Sequence, residues 1–479
     1  MIYKITLNKN PNFHKIKDIK TFKYTVKEYI IKNQDSPQFR KYDLGNAEGI
    51  YIWKIPFFIK LYKLNFKIKY HLFGMPLLSI RRTIDRNIIA KKEHLKRKAR
   101  IYFSVGRLAF EEKLTGIPRV VRELCHQGLN SKEVNFVPIY LDYKEKKYRI
   151  ADSWIKSQKL ELNETNLLPS PNEDCEITVQ KGDWIIYTWT DEQEWKYMKS
   201  FQISFKKNGG KIGTILYDLI PIENPQFCTP IARRAFELWL YHITDECDAI
   251  FSISKAVQDA YKKWLSSSTK QSTAYLGYFH LGANFNLNKT NKPVPLPHSL
   301  NKCQYYMQVS TVEPRKGYSD LLTAFEKLWE AGLNAALVIV GKKGWMVDSL
   351  SNRIEQHKQA GKLLFWFKNA SDEELKSLYN GARAIVFASE AEGFGLAAIE
   401  GLYYGKPVIV RDLPVFREIG GDNLTYFENG VTGLVNALID DWNSPRAPRS
   451  KSNTRPNIIS WQQSYNQLIE QIKQASKNL

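Results

Sequence analysis

Cysteine is scarce and scattered: Cys125, Cys175, Cys228, Cys247 and Cys303 are the five in 479 residues, and no two form a CxxC pair. An odd, widely spaced set argues against a disulfide framework and structural zinc, and for reduced thiols in a reducing compartment. Long uncharged apolar runs are missing as well. None approaches the roughly 20 residues that span a bilayer, and the opening MIYKITLNKNPNFHKIKD has no continuous apolar core of a secretory signal. The expectation is a cytoplasmic protein. Acidic residues run short only at one end. Residues 1–100 carry 24 Lys and Arg against 7 Asp and Glu, whereas the other 379 carry 46 against 42. The net charge of +21 therefore belongs to the N-terminal stretch and says little about the partners of the rest.

With 43% hydrophobic and 13% aromatic residues the chain is expected to be globular, and its length exceeds one core. Residues 1–98 read as a basic, aromatic-rich extension. IYIWKIPFFIKLYKLNFKIKYHLFGMPLLSIRR (50–82) interleaves apolar groups with lysines, and RNIIAKKEHLKRKAR (86–100) is a basic helix candidate. Such stretches suit an anionic membrane face. A solvated basic arm and a nucleic-acid-binding segment are the alternatives left open. Residues 99–295 alternate strand and helix patterns, among them IYFSV, NFVPIYL, KIGTILYDL and DAIFSIS. A Pro, Asn and Lys-rich segment (286–302) precedes a second alternating series over 296–459, and 460–479 reads as a last helix that packs back on the first domain. Two such series predict an α/β protein with two facing, doubly wound Rossmann-like domains.

Chemistry concentrates in the second series. SEAEGFGLAAIE (389–400) lies between the strand pattern RAIVFAS and the helix pattern LAAIEGLYYG, so it forms a strand–turn–helix corner. Its glycines allow close backbone approach, and a helix N-terminus offers unpaired N–H groups to an anion. Glu392 and Glu400 look misplaced there unless the ligand also carries hydroxyls, which carboxylates accept from. STVEPRKGYSDLL (310–322) brings Arg315 and Lys316 to the same predicted sheet edge, as a diphosphate requires. GKKGWM (341–346) adds a glycine-bounded basic turn. Each piece alone reads as an ordinary βα corner or a solvated helix start. Together, along one edge, they fit a nucleotide sugar: anionic in the middle and hydroxyl-rich at both ends.

These segments, in this order, resemble the family-4 retaining glycosyltransferases of the GT-B fold, in particular a surface-polysaccharide (O-antigen and capsule) assembly subgroup. The resemblance covers roughly 100–440 and is strongest after 305, with the E-x7-E pair Glu392 and Glu400 its most specific signal. It implies Glu400 for the nucleotide ribose, and Glu392, Gly393, Phe394, Gly395 and Leu396 for donor sugar and diphosphate. Lys316 matches the family's phosphate lysine. Many members carry Gly-Arg where this chain has Ser310-Thr311, so that arginine is missing and Arg315 compensates. Many also have proline at the position of Ala397, a change that the first turn of a helix tolerates. In the first series TGIPRVVREL resembles a TGI-x-RV loop near acceptor and donor phosphate, which singles out Gly116 and Arg119. LYDLIPIENPQF matches a (H/Y)DLIP segment, making Asp218 an acceptor-site and catalytic candidate beside Glu392. Tyr217, a further candidate beside Gly116 and Arg119 for the acceptor and phosphate loop, stands where histidine is common, so no histidine role is expected there.

The resemblance implies transfer of a hexosyl group from a nucleotide diphosphate sugar to an acceptor hydroxyl with retention, without a metal or other cofactor. The expected acceptor is a lipid-linked or growing surface polysaccharide, reached at the inner face of the cell membrane through residues 1–98. No nucleic-acid partner is expected. A GT-B sugar-nucleotide epimerase, a transferase acting on a protein or soluble acceptor, and, in a different class, a basic nucleic-acid-binding protein remain as alternatives.

Overall fold

The structure, a computed structural model, describes residues 98–109, 116–158, 177, 179–188, 192–283, 294–445 and 458–479, together with five strands before them. The chain divides into two compact units, Met1–Arg97 and Lys98–Leu479. In the first, strands β1 (Phe39–Asp43), β2 (Ala47–Ile52), β3 (Phe58–Tyr62), β4 (Ile68–Leu72) and β5 (Met75–Leu78) pair antiparallel in chain order. The stretch 50–82, read from sequence as membrane-seeking, thus contributes to a meander. Most of the basic helix expected at 86–100 lies outside the described residues, and its last residue, Arg100, opens a strand instead.

The second unit contains two sheets. Strands β6 (Arg100–Ser104), β7 (Asn135–Asp142), β8 (Lys147–Ile150), β9 (Trp184–Tyr187), β10 (Lys211–Leu216), β11 (Ala249–Ser252) and β12 (Tyr275–Tyr278) form a sheet of order β12-β11-β10-β9-β6-β7-β8. All pairs are parallel except the β7–β8 hairpin at the edge. Strands β13 (Gln304–Val309), β14 (Ala335–Val340), β15 (Leu364–Phe367), β16 (Ala384–Phe387), β17 (Val408–Arg411) and β18 (Thr425–Phe427) form the second, wholly parallel sheet of order β15-β14-β13-β16-β17-β18. The sequence explains why. β14 is AALVIV and every residue is buried, as a parallel strand covered by helices on both faces requires. Both sheets have the doubly wound order, which reverses direction between β6 and β9 in one and between β13 and β16 in the other. Crevices open at the carboxyl ends of the strands where the order reverses.

Helix ends follow local chemistry. Ser371 and Glu374 form a capping box at the start of Asp372–Gly381, and Ser460 with Gln463 does the same for Trp461–Asn478. The helix Asp348–Glu355 ends where the chain turns and the His357 ring accepts the Gln359 N–H at 3.1 Å. Strands β8 and β12, four residues each, are too short to stand out by periodicity. The helix Trp461–Asn478 crosses the first sheet: Trp461, Tyr465, Leu468, Ile469 and Ile472 join its core, and the Trp184 indole donates to Ser476 Oγ at 2.9 Å. Among the described residues no helix is long and apolar enough to cross a membrane, and Cys125, Cys228, Cys247 and Cys303 are free thiols.

Trp461 is 1% exposed, and the chain at Gly282 runs against its backbone so closely that a Cβ there would fall 2.4 Å from the Trp461 nitrogen. Trp461→Ala is expected to cost about 3–5 kcal/mol, read as a lower urea midpoint, with Trp461→Phe losing less.

Candidate active site

The reversal between β13 and β16 places two loops side by side, 310–317 and 388–395. They are stitched together by a side chain the sequence did not single out. Gln308, fully buried on β13, donates to the Lys316 carbonyl at 2.8 Å and accepts the Ala388 N–H at 3.1 Å. The Glu390 N–H also donates to the Arg315 carbonyl at 2.8 Å. Gly317 has φ +67, and a Cβ on it would sit 2.1 Å from the Ala388 carbonyl oxygen; only glycine fits. Gly395, at φ +84, opens the helix Leu396–Tyr403 in the same way.

This stitching brings Arg315, Lys316 and Glu392 together. The Lys316 ammonium lies 2.6 Å from one Glu392 oxygen, and Arg315 Nη1 lies 3.1 Å from the other. Arg315 Nη1 also donates to the Ala391 carbonyl at 3.1 Å, and its Nε pairs with buried Glu313 at 2.7 Å. Burial would raise the Glu392 carboxyl, but Lys316 and Arg315 outweigh it and hold it down at about 2. The GKKGWM turn is brought alongside by a bridge between Val312 and Lys343, with the Gly344 N–H donating to the Val312 carbonyl at 2.8 Å.

The first sheet closes over this corner. Gly393 packs so tightly on Tyr217 and Asp218 that a Cβ would fall 2.1 Å from the Tyr217 carbonyl oxygen and 3.1 Å from Asp218 Cβ. Ser254 donates to the Gly393 carbonyl at 2.9 Å, and Phe394 and Ile399 belong to the first sheet's core. Asp218 accepts the Ile220 N–H at 3.1 Å, and its carboxyl is raised by burial, with Arg315 opposing. Tyr217 offers the cleft only its backbone: its hydroxyl is buried without a hydrogen-bond partner, against the first core. Leu396, at the first turn of its helix, is half-buried on the same core.

Glu400 sits one helix face further on, 4% exposed, with both oxygens engaged. Arg119 Nη1 reaches it from the first sheet at 2.6 Å, and the Tyr379 hydroxyl donates at 2.9 Å. Tyr379 in turn stacks on Tyr404 with ring centroids 4.5 Å apart and planes 5° off parallel. Arg119 thus bridges to the expected ribose residue, while Gly116, exposed at φ +66, caps the helix Ile117–Asn130 that carries it. A second joint was invisible from sequence. Glu418 accepts the Lys255 and Ala256 N–H groups at 2.6 and 2.7 Å, capping a helix of the first sheet, and meets His280 Nε2 at 2.5 Å.

The corner can therefore present two cations, helix N–H groups and two carboxylates to one bound molecule. Among the described residues no group of three or more His, Cys, Asp and Glu is arranged to hold a metal ion. Two outcomes are expected. Gly393→Ala should force the Tyr217 carbonyl off the corner, speeding amide exchange at 217–220 and 391–395 with little change at β14. A depressed carboxylate contributes stability above its ordinary pKa of 4.5 and loses it as pH falls towards 2. The stability gap between wild type and Glu392→Gln should accordingly be larger at about pH 5 than at about pH 3, by roughly 2 kcal/mol in urea titrations.

Residues 298–448 match the family described as glycosyl transferases group 1. The serotype-specific mannosyltransferase WbdA of Escherichia coli is 30% identical over 451 residues, 90% of this chain and 52% of that protein. The O-antigen chain mannosyltransferase B of Escherichia coli is 30% identical over 188 residues, 38% of this chain and 49% of that protein. This chain thus spans about half the length of these curated relatives. Among solved structures, sucrose-phosphate synthase from Thermosynechococcus elongatus superposes with a TM-score of 0.53 at 16% identity, covering 79% of this chain and all of that one. At that identity it speaks for the fold alone. Family segment, fold and corner agree: residues 298–448 are a group 1 glycosyltransferase segment, and the two-sheet unit has the GT-B fold.

Proposed function

We propose that this protein transfers a mannosyl group from a nucleoside diphosphate sugar to a hydroxyl of a growing O-antigen glycan, with retention of anomeric configuration. The observation that carries the reading is the placement of Arg315, Lys316 and the Leu396–Tyr403 helix N-terminus at the β13/β16 reversal, beneath the 217–220 segment of the first sheet. The relatives' descriptions as mannosyltransferases supply the sugar and the glycan.

In this reading the diphosphate lies against Arg315, Lys316 and the N–H groups that follow Gly393. Charge that develops on the leaving phosphate is met by groups already in place, which is the largest lever such a site has. A metal is not required, because two cations already face the leaving group. Glu400 accepts from the ribose beside its contact with Arg119, since each carboxylate oxygen can accept more than one hydrogen bond. Glu392 and the backbone of Gly393–Leu396 hold the donor sugar. Asp218, pressed against Gly393, borders the acceptor side. Same-face attack assisted by the leaving phosphate accounts for retention without an enzymatic nucleophile. We further propose action on a lipid-linked acceptor at the inner face of the cell membrane, with the basic residues 1–98 drawn to anionic lipid.

A thermal-shift screen with GDP-, UDP- and dTDP-sugars should reveal one stabilising donor, and an acceptor glycan should then gain a mannosyl unit. With donor alone, only slow hydrolysis is expected; an accumulating epimer would overturn the transferase reading. Glu400→Ala should weaken nucleotide binding about 10- to 100-fold. Glu392→Ala should mainly lower kcat, by about 100-fold. Unchanged kinetics in both variants would sink the site assignment.

A further inference from the structure

Carboxylates outnumber cations at the corner. Arg315 and Lys316 face Glu392, Asp218 and a third acid, Glu313, which no part of the E-x7-E pattern requires. Glu313 is 3% exposed, and its carboxylate lies 2.7 Å from Arg315 Nε. Burying an extra negative charge where a diphosphate is to bind costs desolvation and repels the ligand. The cation that offsets it, Arg315, is the same one that the diphosphate needs, so the pairing calls for a physical role.

The geometry supplies one. A guanidinium is planar and rigid, so fixing two of its edges fixes the third. Glu313 holds Nε, while Glu392 and the Ala391 carbonyl hold Nη1. Among the described residues Nη2 has no protein partner, and the side chain keeps one-fifth of its surface exposed. Lys316 cannot be steered this way, since its ammonium rotates about one contact with Glu392.

We propose that Glu313 is a positioning residue that aims the Nη2 edge of Arg315 at the leaving phosphate, and whose negative charge keeps the nucleoside diphosphate product from being held too tightly. The inference rests on the donor-site reading above and goes beyond it by assigning product release to a specific buried charge. The two halves are read in different observables. Loss of aim slows turnover, while loss of the charge tightens product binding.

The test uses the full chain with the donor found in the screen, and GDP and UDP as calorimetric probes. Glu313→Gln should lower kcat about tenfold, yet tighten binding of the competent nucleoside diphosphate about fivefold, the effect of removing one nearby like charge. Glu313→Asp keeps the charge and shortens the reach, so kcat should fall while nucleotide affinity stays within about twofold of wild type. In an Arg315→Lys background, which lacks the Nε–H, Glu313→Gln should leave kcat unchanged. A merely structural residue would weaken binding and turnover together. That result, unchanged kcat in Glu313→Gln, or tightened binding in Glu313→Asp, overturns the proposal. If Glu313→Gln does not fold, the Asp variant alone decides. Should wild type turn over no nucleotide sugar, the donor-site reading itself fails, an outcome distinct from normal wild-type turnover with an indifferent Glu313→Gln.

Discussion

The contact on which the rest depends is the buried clasp of Glu392 by Lys316 and Arg315. The two cations come from one loop and the acid from another, and the two loops follow different strands on either side of the sheet's reversal. A lone buried charge would be strongly unfavourable at any of the three positions, so the clasp locks the two loops into one surface. The backbone obeys the same constraint. Gln308 spans both loops, and Gly317 leaves space for the Ala388 carbonyl.

The two sheets meet through contacts of different character. At the corner, packing is steric and uncharged, with Gly393 against Tyr217 and Phe394 buried in the other sheet's core. To one side, Arg119 pairs with Glu400. To the other, Glu418 caps the helix Lys255–Ser267 and meets His280. Both ionic contacts use groups that a polar ligand or water could satisfy instead, whereas the glycine contact has no substitute. The joint is therefore held most specifically where the proposed chemistry takes place.

The fold was legible because its signals are local. Alternating β and α patterns, a Pro-rich divide and the glycine-flanked acidic corner can each be read within about a dozen residues. The strand patterns IYFSV and DAIFSIS needed no distant partner to be recognised. What escaped was long-range. Arg119 and Glu400 are 281 positions apart, His280 and Glu418 are 138, and nothing near either pair announces the other. Tyr217 shows a subtler failure. Its backbone carbonyl lies against Gly393, but its hydroxyl is turned into the core. In the N-terminal unit, apolar groups interleaved with lysines read as an interfacial segment, and the antiparallel pairing of its strands joins stretches that no single one of them announces.

The helix Trp461–Asn478 belongs in space to the sheet that the first half of the chain builds, although it follows the second sheet in sequence. The polypeptide consequently passes between the two lobes twice, once on leaving each sheet. The first lobe is therefore discontinuous in sequence, closed by a helix that only the end of the chain supplies. Cutting the gene between the sheets would leave the first lobe without its last helix and the second with an orphaned one. A permuted chain that begins at that helix would give the first lobe all of its parts.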